Sequence, residues 1–528
     1  MKKFVLLSVL GLMLMGFSAS ANALEFKAFG MIDAQWFYNV NATPANPAGG
    51  FYNALPANFK WNTDPASPLY GTKGPVLDRK VNYFESRARL GFNAIVDKNL
   101  SGTILFEMDS SRWGDASPSG AQRNAMGYWA ADRAAVEVKN VYFDFGLPYI
   151  GIPVPMSFRV GLQTLAIRPN LFLLTDGMAI KWTSKIDPVS IELFYAKPFE
   201  GRDAVSQDDV DVFGGHLVAK VGPLTAGGYA FYYNMNAYPF PATALSYGST
   251  GSFDAEMWWF GLYADGKLGP VNVNLDGIYD RGEVKERDLI NGVWSSNPDV
   301  KYRGWAARAK IDFPWEKFNF GVSGYYATGA DTEKTSPTGL PGDYRNNWYG
   351  PLYTSKKVTS YAVPPGSEVG SAFGESVVFY SFFGNRGDSG IANTLNYTQM
   401  CRGPIGGTWM AKAYASAKVA PWYKITLQGM YIGDTTKNGD TFGTAAGYNY
   451  FTDYNYLKDN KSIGWEIDLI NEIQIYKNLK LTFAGGYLFA GKAMDQWTGA
   501  WMPFAPFPTV NDEIKNPWAL MWNLTYSF

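Results

Sequence analysis

The chain has 528 residues, with 46 Lys and Arg against 47 Asp and Glu and a formal net charge of −1, so it lacks the basic excess of a nucleic-acid-binding surface. One cysteine, Cys401, excludes an intrachain disulfide, and one histidine, His216, removes most metal-centre and triad chemistry. Aromatics make up 16% and Gly numbers 56, a composition suited to a sheet with one lipid face and one wet face.

In chain order, Lys2 and Lys3 precede an apolar run from Phe4 to Phe17, which ends in small residues with Ala21 and Ala23 spaced as in a cleavage site. This pattern predicts a signal peptide over 1–23; the run is too short for a membrane helix of about 20 apolar residues. A mature chain starting near Leu24 is therefore expected, with 24–528 forming one unit.

From there the chain alternates with period two, segment after segment. Phe26, Ala28, Ile32, Ala34, Trp36, Tyr38 and Val40 share one face of the first segment, and Glu25, Lys27, Asp33, Gln35 and Asn39 the other. In the second, Phe84, Ala88, Leu90 and Phe92 oppose Glu85, Arg87, Arg89 and Asn93. Eighteen such segments begin near residues 24, 81, 100, 134, 156, 177, 188, 209, 224, 254, 270, 300, 317, 407, 422, 462, 478 and 516. Tight connections such as Asp97–Asn99, Gly222–Pro223 and Lys267–Gly269 alternate with long polar stretches at 41–80, 111–133, 198–208, 236–253, 282–299, 330–406, 434–461 and 491–515. Short turns on one side and long loops on the other are the connectivity of a transmembrane antiparallel β-barrel. Both ends then fall on the short-turn side, which needs an even strand number; eighteen fits, and a missed or split hairpin would give sixteen or twenty.

Two further patterns support the barrel. Tyr38, Tyr195, Tyr232, Tyr279, Tyr326, Tyr431 and Tyr487 each close the apolar face of a segment just before a long loop, where an interfacial girdle belongs. The opposite phase carries Glu85, Arg87, Arg89, Glu107, Asp109, Arg159, Lys181, Arg308, Lys310, Lys412, Glu466 and Asp468. Burying so many charges in a dry core would cost several kcal/mol per ion, so these twelve are expected to line a wet lumen. Closure follows because an open sheet edge in hydrocarbon leaves backbone groups unsatisfied, and sixteen to eighteen strands leave an aqueous channel.

The terminal run Trp522-Asn523-Leu524-Thr525-Tyr526-Ser527-Phe528, with Tyr83–Phe92, Arg159–Gln163 and Gly485–Gly491, resembles bacterial outer-membrane porins. Gly464–Leu469, on an eighteen-strand frame, is similar to alginate-export barrels, but too few lumen positions match to carry that substrate over. The resemblance implies outer-membrane placement among lipid and lipopolysaccharide. It also implies that Trp522, Tyr526 and Phe528 form the signal read by the barrel-insertion machinery, and trimerisation is common in porins.

Arg87 and Arg89 should stand opposite Glu107 and Asp109 across a hairpin, forming either a transverse field or a salt-bridge ladder. Loop 330–406 exceeds ordinary connection lengths, and its run Ser376–Gly384 should not stand free in water. If it folds into the mouth as a constriction, Arg345, Lys356, Lys357 and Arg386 are the candidate eyelet residues; the alternative packs it on the rim or on another subunit. Asp208, Asp209 and Asp211, and separately Asp434 and Asp440, could hold Ca2+ at a loop base or be solvated acidic turns; no other cofactor and no metal centre is expected.

The function expected from the sequence is passive diffusion of small hydrophilic solutes or ions. The alternatives are a substrate-specific barrel for sugars or acidic polysaccharide, and a scaffold around a partner protein. An enzyme is not expected, since a lone His216 is poor material for a nucleophile–base pair.

Overall fold

The computed structural model describes residues 24–40, 80–114, 125–127, 129, 134–147, 155–201, 209–238, 253–286, 299–329, 357–369, 373–380, 405–437, 460–494, 496–498, 510–512 and 516–528. The expected signal peptide lies outside the described residues.

Eighteen strands form the wall. They are β1 (Glu25–Val40), β2 (Lys80–Asp97), β3 (Leu100–Trp113), β4 (Glu137–Gly146), β5 (Met156–Ile167) and β6 (Leu173–Ile186). Then come β7 (Val189–Phe199), β8 (Val210–Val221), β9 (Leu224–Tyr238), β10 (Phe253–Leu268), β11 (Val271–Glu286) and β12 (Trp305–Trp315). The circuit ends with β13 (Phe318–Ala327), β14 (Thr408–Ala420), β15 (Tyr423–Asp434), β16 (Ser462–Tyr476), β17 (Leu479–Ala490) and β18 (Trp518–Ser527). Each pairs antiparallel with its chain neighbours, and β1 pairs with β18 from Met31↔Ser527 to Val40↔Trp518. Gly30 and Phe528 exchange backbone hydrogen bonds of 2.9 and 3.1 Å at the seam. The sheet is therefore a closed barrel, as the alternation predicts.

The period-two pattern sets the faces. On β1, Asp33, Gln35, Phe37 and Asn39 are buried while Phe26 and Ile32 are exposed. Around the outside stand Phe213, Trp258, Leu262, Trp315, Leu427, Trp465 and Phe489, all exposed and apolar. So broad an apolar band on a protein surface marks contact with lipid. Gly222 and Gly269 occupy left-handed backbone at tight turns (φ 61° and 59°), where a side chain would be strained.

One connection differs from the expected pattern. The β5–β6 hairpin closes through Arg168–Phe172, a turn in which the amides of Leu171 and Phe172 donate to the Arg168 carbonyl at 2.8 and 2.9 Å. Its residues Leu171, Phe172 and Leu173 are wholly buried. Phe172 stacks on Tyr229 of β9, with ring centroids 4.7 Å apart, so the hairpin tip folds inward.

The interior is also not wet along its whole length, which corrects the expectation of a charged inner face. Tyr229, Phe231, Tyr233 and Met235 of β9, and Met257 and Trp259 of β10, point inward and are buried. They pack against Phe172 and against Val358, Tyr361 and Ala362, which the β13–β14 connection brings inside. The reason is physical: aromatic strands can bury both faces when lipid covers one and an inserted loop covers the other.

Candidate functional site: the lumen and its inserted loop

The inserted part of the β13–β14 connection is fastened by wall carboxylates. The amides of Val378 and Phe379 donate to Glu466 at 2.6 and 3.1 Å, and that of Val377 to Asp468 at 3.1 Å. Asp280 accepts the amides of Ala362 at 3.0 Å and Gly304 at 2.7 Å. Gln428 donates to Asp468 at 2.7 Å, and Tyr380 donates to Thr408 at 2.8 Å. Backbone donors thus compensate carboxylates that would otherwise be costly in so buried a place.

Glu375 supplies the reciprocal contact. Its carboxylate pairs with Arg308 at 2.6 Å and with Lys412. Burial alone would raise this carboxyl, but Lys412 and Arg308 outweigh it and hold it down at about 2. Sequence reading placed Arg308, Lys412, Glu466 and Asp468 on the inner face but missed Glu375 and Asp280, the first because nothing in a loop marks a residue as inward.

Most of the remaining predicted lumen residues lie within ion-pair distance of an opposite charge. Arg89 binds Glu107, and Arg87 approaches the same carboxylate at 3.7 Å. Lys139 bridges Glu107 and Asp176 at 3.3 and 2.6 Å. Arg159 pairs with Asp144 at 2.7 Å and covers the Tyr142 ring at 4.0 Å. Lys181 lies 3.8 Å from Glu192, and Lys310 lies 3.8 Å from Asp312. The side chain of Asp109 is outside the described residues; a register shift between Ser86 and Ala88 sets Arg89 against Glu107 in the hairpin.

His216 joins Glu192 at 3.0 Å and the Tyr263 hydroxyl at 2.8 Å. Both ring nitrogens are engaged. Arg168, at the inward hairpin tip, binds Asp265 at 2.6 Å and Asp276 as well.

Lys357 is exposed beside fully buried Val358. Arg345, Lys356, Arg386 and Ser381–Gly384 lie outside the described residues, as do Asp208, Asp440 and Cys401. Asp209 pairs with Lys197 at 2.6 Å, Asp211 with the same lysine at 3.7 Å, and Asp434 with Lys461 at 3.6 Å and the Thr436 amide at 2.9 Å. No cluster of three or more metal-ligating side chains occurs among the described residues.

The tyrosine row forms a belt. Tyr232 lies 4.7 Å from Trp258, Tyr326 4.9 Å from Trp305, Tyr431 5.0 Å from Trp465 and Tyr38 5.4 Å from Trp518, centroid to centroid. Tyr279 lies opposite Trp305 in the ladder, Tyr487 opposite Trp518, and Tyr195 packs on Phe213 at 5.4 Å. The tryptophans, on the strands leading out of the loops, were not assigned to the girdle from the sequence. At the other rim Tyr526 and Phe528 are exposed and stacked at 5.6 Å, and Trp522 lies opposite Trp36.

No protein-family model and no curated protein matches the chain. Among solved structures, it is similar to Pseudomonas aeruginosa OccK8 (OprE), at 9% identity and TM-score 0.45 over 95% of this chain and 98% of that one. OccK11 (OpdR) of the same organism gives 9% and 0.44 over 95% and 96%. OmpT, an outer membrane protein of Vibrio cholerae in trimer form, gives 9% and 0.37 over 96% and 100%.

Proposed function

We propose that the chain is an outer-membrane porin that passes small hydrophilic solutes or ions by passive diffusion, with the segment around Glu375 as its constriction. The observation that carries this reading is the closed eighteen-strand wall with lipid-facing aromatics outside and paired charges inside. Water reaches part of this inner wall, as at the Arg159–Asp144 pair, whose side chains are 31% and 35% exposed. The inserted loop narrows the bore, and the near balance of lumen charges predicts modest ion selectivity. Outer-membrane lipid and lipopolysaccharide would surround the tyrosine–tryptophan belt, and Trp522, Tyr526 and Phe528 would present the insertion signal.

The test is reconstitution of the full chain in a planar bilayer. Stepwise conductance with a reversal potential close to zero in a salt gradient is expected. Folded, heat-modifiable protein that inserts and conducts nothing above bare lipid would overturn the reading.

A further inference from the structure

We propose that the outer face around Arg281 and Arg303, just above the aromatic belt, binds the phosphate of an outer-leaflet glycolipid, the lipid A part of lipopolysaccharide. The inference rests on the outer-membrane reading above and adds a lipid site with named residues.

Above the belt, the short strand Val300–Tyr302 carries the wall upward beside β11. Inward and outward positions alternate there without a break: Asp280, Val300 and Tyr302 are buried, whereas Arg281, Lys301 and Arg303 are exposed. Tyr279 stands opposite Trp305 and Gly282 opposite Tyr302, so one unbroken register sets Arg281 directly opposite Arg303. On its other side Arg281 faces Trp258 of β10. Lys301 in turn lies beside exposed Lys357, where Lys301–Tyr302 pairs in parallel with Lys357–Val358. Three adjacent segments thus present four cations on one outward face.

Like charges directly across a ladder repel, and the protein does not offset them here. Among the described residues no carboxylate pairs with Arg281, Arg303 or Lys301. The acids of this face stand further toward the loop end, where Lys285 takes Glu283, and Glu256 lies across from Glu283 on the β10 side. By contrast Arg159 and Arg308, on the inner face, each hold a carboxylate. Height decides the partner. Arg281 and Arg303 lie two residues, about 7 Å, toward the loops from Tyr279 and Trp305. Those rings belong to the belt that marks the headgroup boundary, so an anion held at this level is that of a lipid headgroup. A sugar phosphate offers three acceptor oxygens, enough for both guanidinium forks at once. The acyl chains of the same molecule would lie below it along Trp258, Phe260 and Trp305, which are exposed.

The test titrates the full-length folded chain, in detergent, with purified bis-phosphorylated lipid A and counts bound lipid by native mass spectrometry. Arg281→Gln/Arg303→Gln should weaken binding by about tenfold or more. Lys185→Gln/Lys220→Gln removes the same charge from exposed positions at the turn end and should leave binding within about twofold. A second arm needs no variant: lipid A stripped of its phosphates should bind the parent chain about as weakly as intact lipid A binds the arginine variant. Equal loss in both double variants would mark a general charge effect and overturn the site. Full-strength binding by Arg281→Gln/Arg303→Gln, or of the stripped lipid by the parent, would overturn it as well. Displacement of lipid A by inorganic phosphate would overturn the lipid assignment in favour of free phosphate. Conductance takes no part in these measurements. A barrel that binds lipid A but does not conduct fails only the channel reading, and one that conducts without preferring the phosphates fails only this inference.

Discussion

Glu375 joins loop to wall through two cations, Arg308 and Lys412, that are themselves mostly buried. Glu375→Gln leaves Lys412 without its ion-pair partner and Arg308 with only Asp276, 4.0 Å away, and breaking a buried pair in this way costs about 3–5 kcal/mol. Proteolysis within 330–406 should accelerate by two orders of magnitude or more while the barrel resists, which limited digestion followed by mass spectrometry will show. The same carboxylate gives a pH signature. Its value in the fold, about 2, lies below the ordinary 4.5, so its stabilising contribution is complete above about pH 5 and is lost as pH falls from 4.5 toward 2. The difference in thermal stability between parent and Glu375→Gln should be constant from pH 5 to 8 and shrink below 4.5; a difference that instead vanishes on raising the pH would refute the ion-pair account. At this scale the sequence was half legible. Alternation placed Glu466 and Asp468 inward, but their amide partners lie 87 to 91 residues away, beyond the reach of any local pattern.

Among the elements, β9 shows why the dry sector escaped sequence reading. Its inward Tyr229, Phe231, Tyr233 and Met235 alternate with outward Ala230 and Tyr232, so an apolar phase exists on both sides and charge gives no cue. The β5–β6 turn escaped for a related reason: Arg168–Phe172 has no period-two pattern, and the contacts of Arg168 with Asp265 and Asp276 that hold it inside lie far along the chain. Strand β17 makes room for the loop at Gly486. A Cβ there would stand 2.8 Å from the Cβ of Val377 and 3.0 Å from a Val378 methyl, and would also collide with the Asp468 carboxylate. Gly486→Val should therefore expel Val377 and Val378 from their amide contacts without breaking the β16–β17 ladder. Single-channel conductance should rise and heat-modifiability persist; an unchanged conductance would mean that this part of the loop does not limit flow.

For the whole molecule, the wall and its filling are separable. The wall needs only alternation, tight turns and the β1–β18 seam, which explains why strand number, faces and closure could be read from period two alone. The filling depends on segments with no period at all, and its apolar part has no counterpart in the alternation. Replacing residues 330–404 by a short Gly-Ser linker should consequently leave the ladder closed, because every strand pair that seals the barrel lies outside that stretch. The loop's removal should expose to water Trp259, which donates to the Ala362 carbonyl, and Tyr325, which packs on Phe373, at about 1.5–3 kcal/mol for each large side chain that loses its cover. The variant should thus conduct more yet melt at a lower temperature, which bilayer recording and a gel-shift melting curve will measure on the same preparation. A variant that no longer migrates as a folded barrel would show that the filling also holds the wall together.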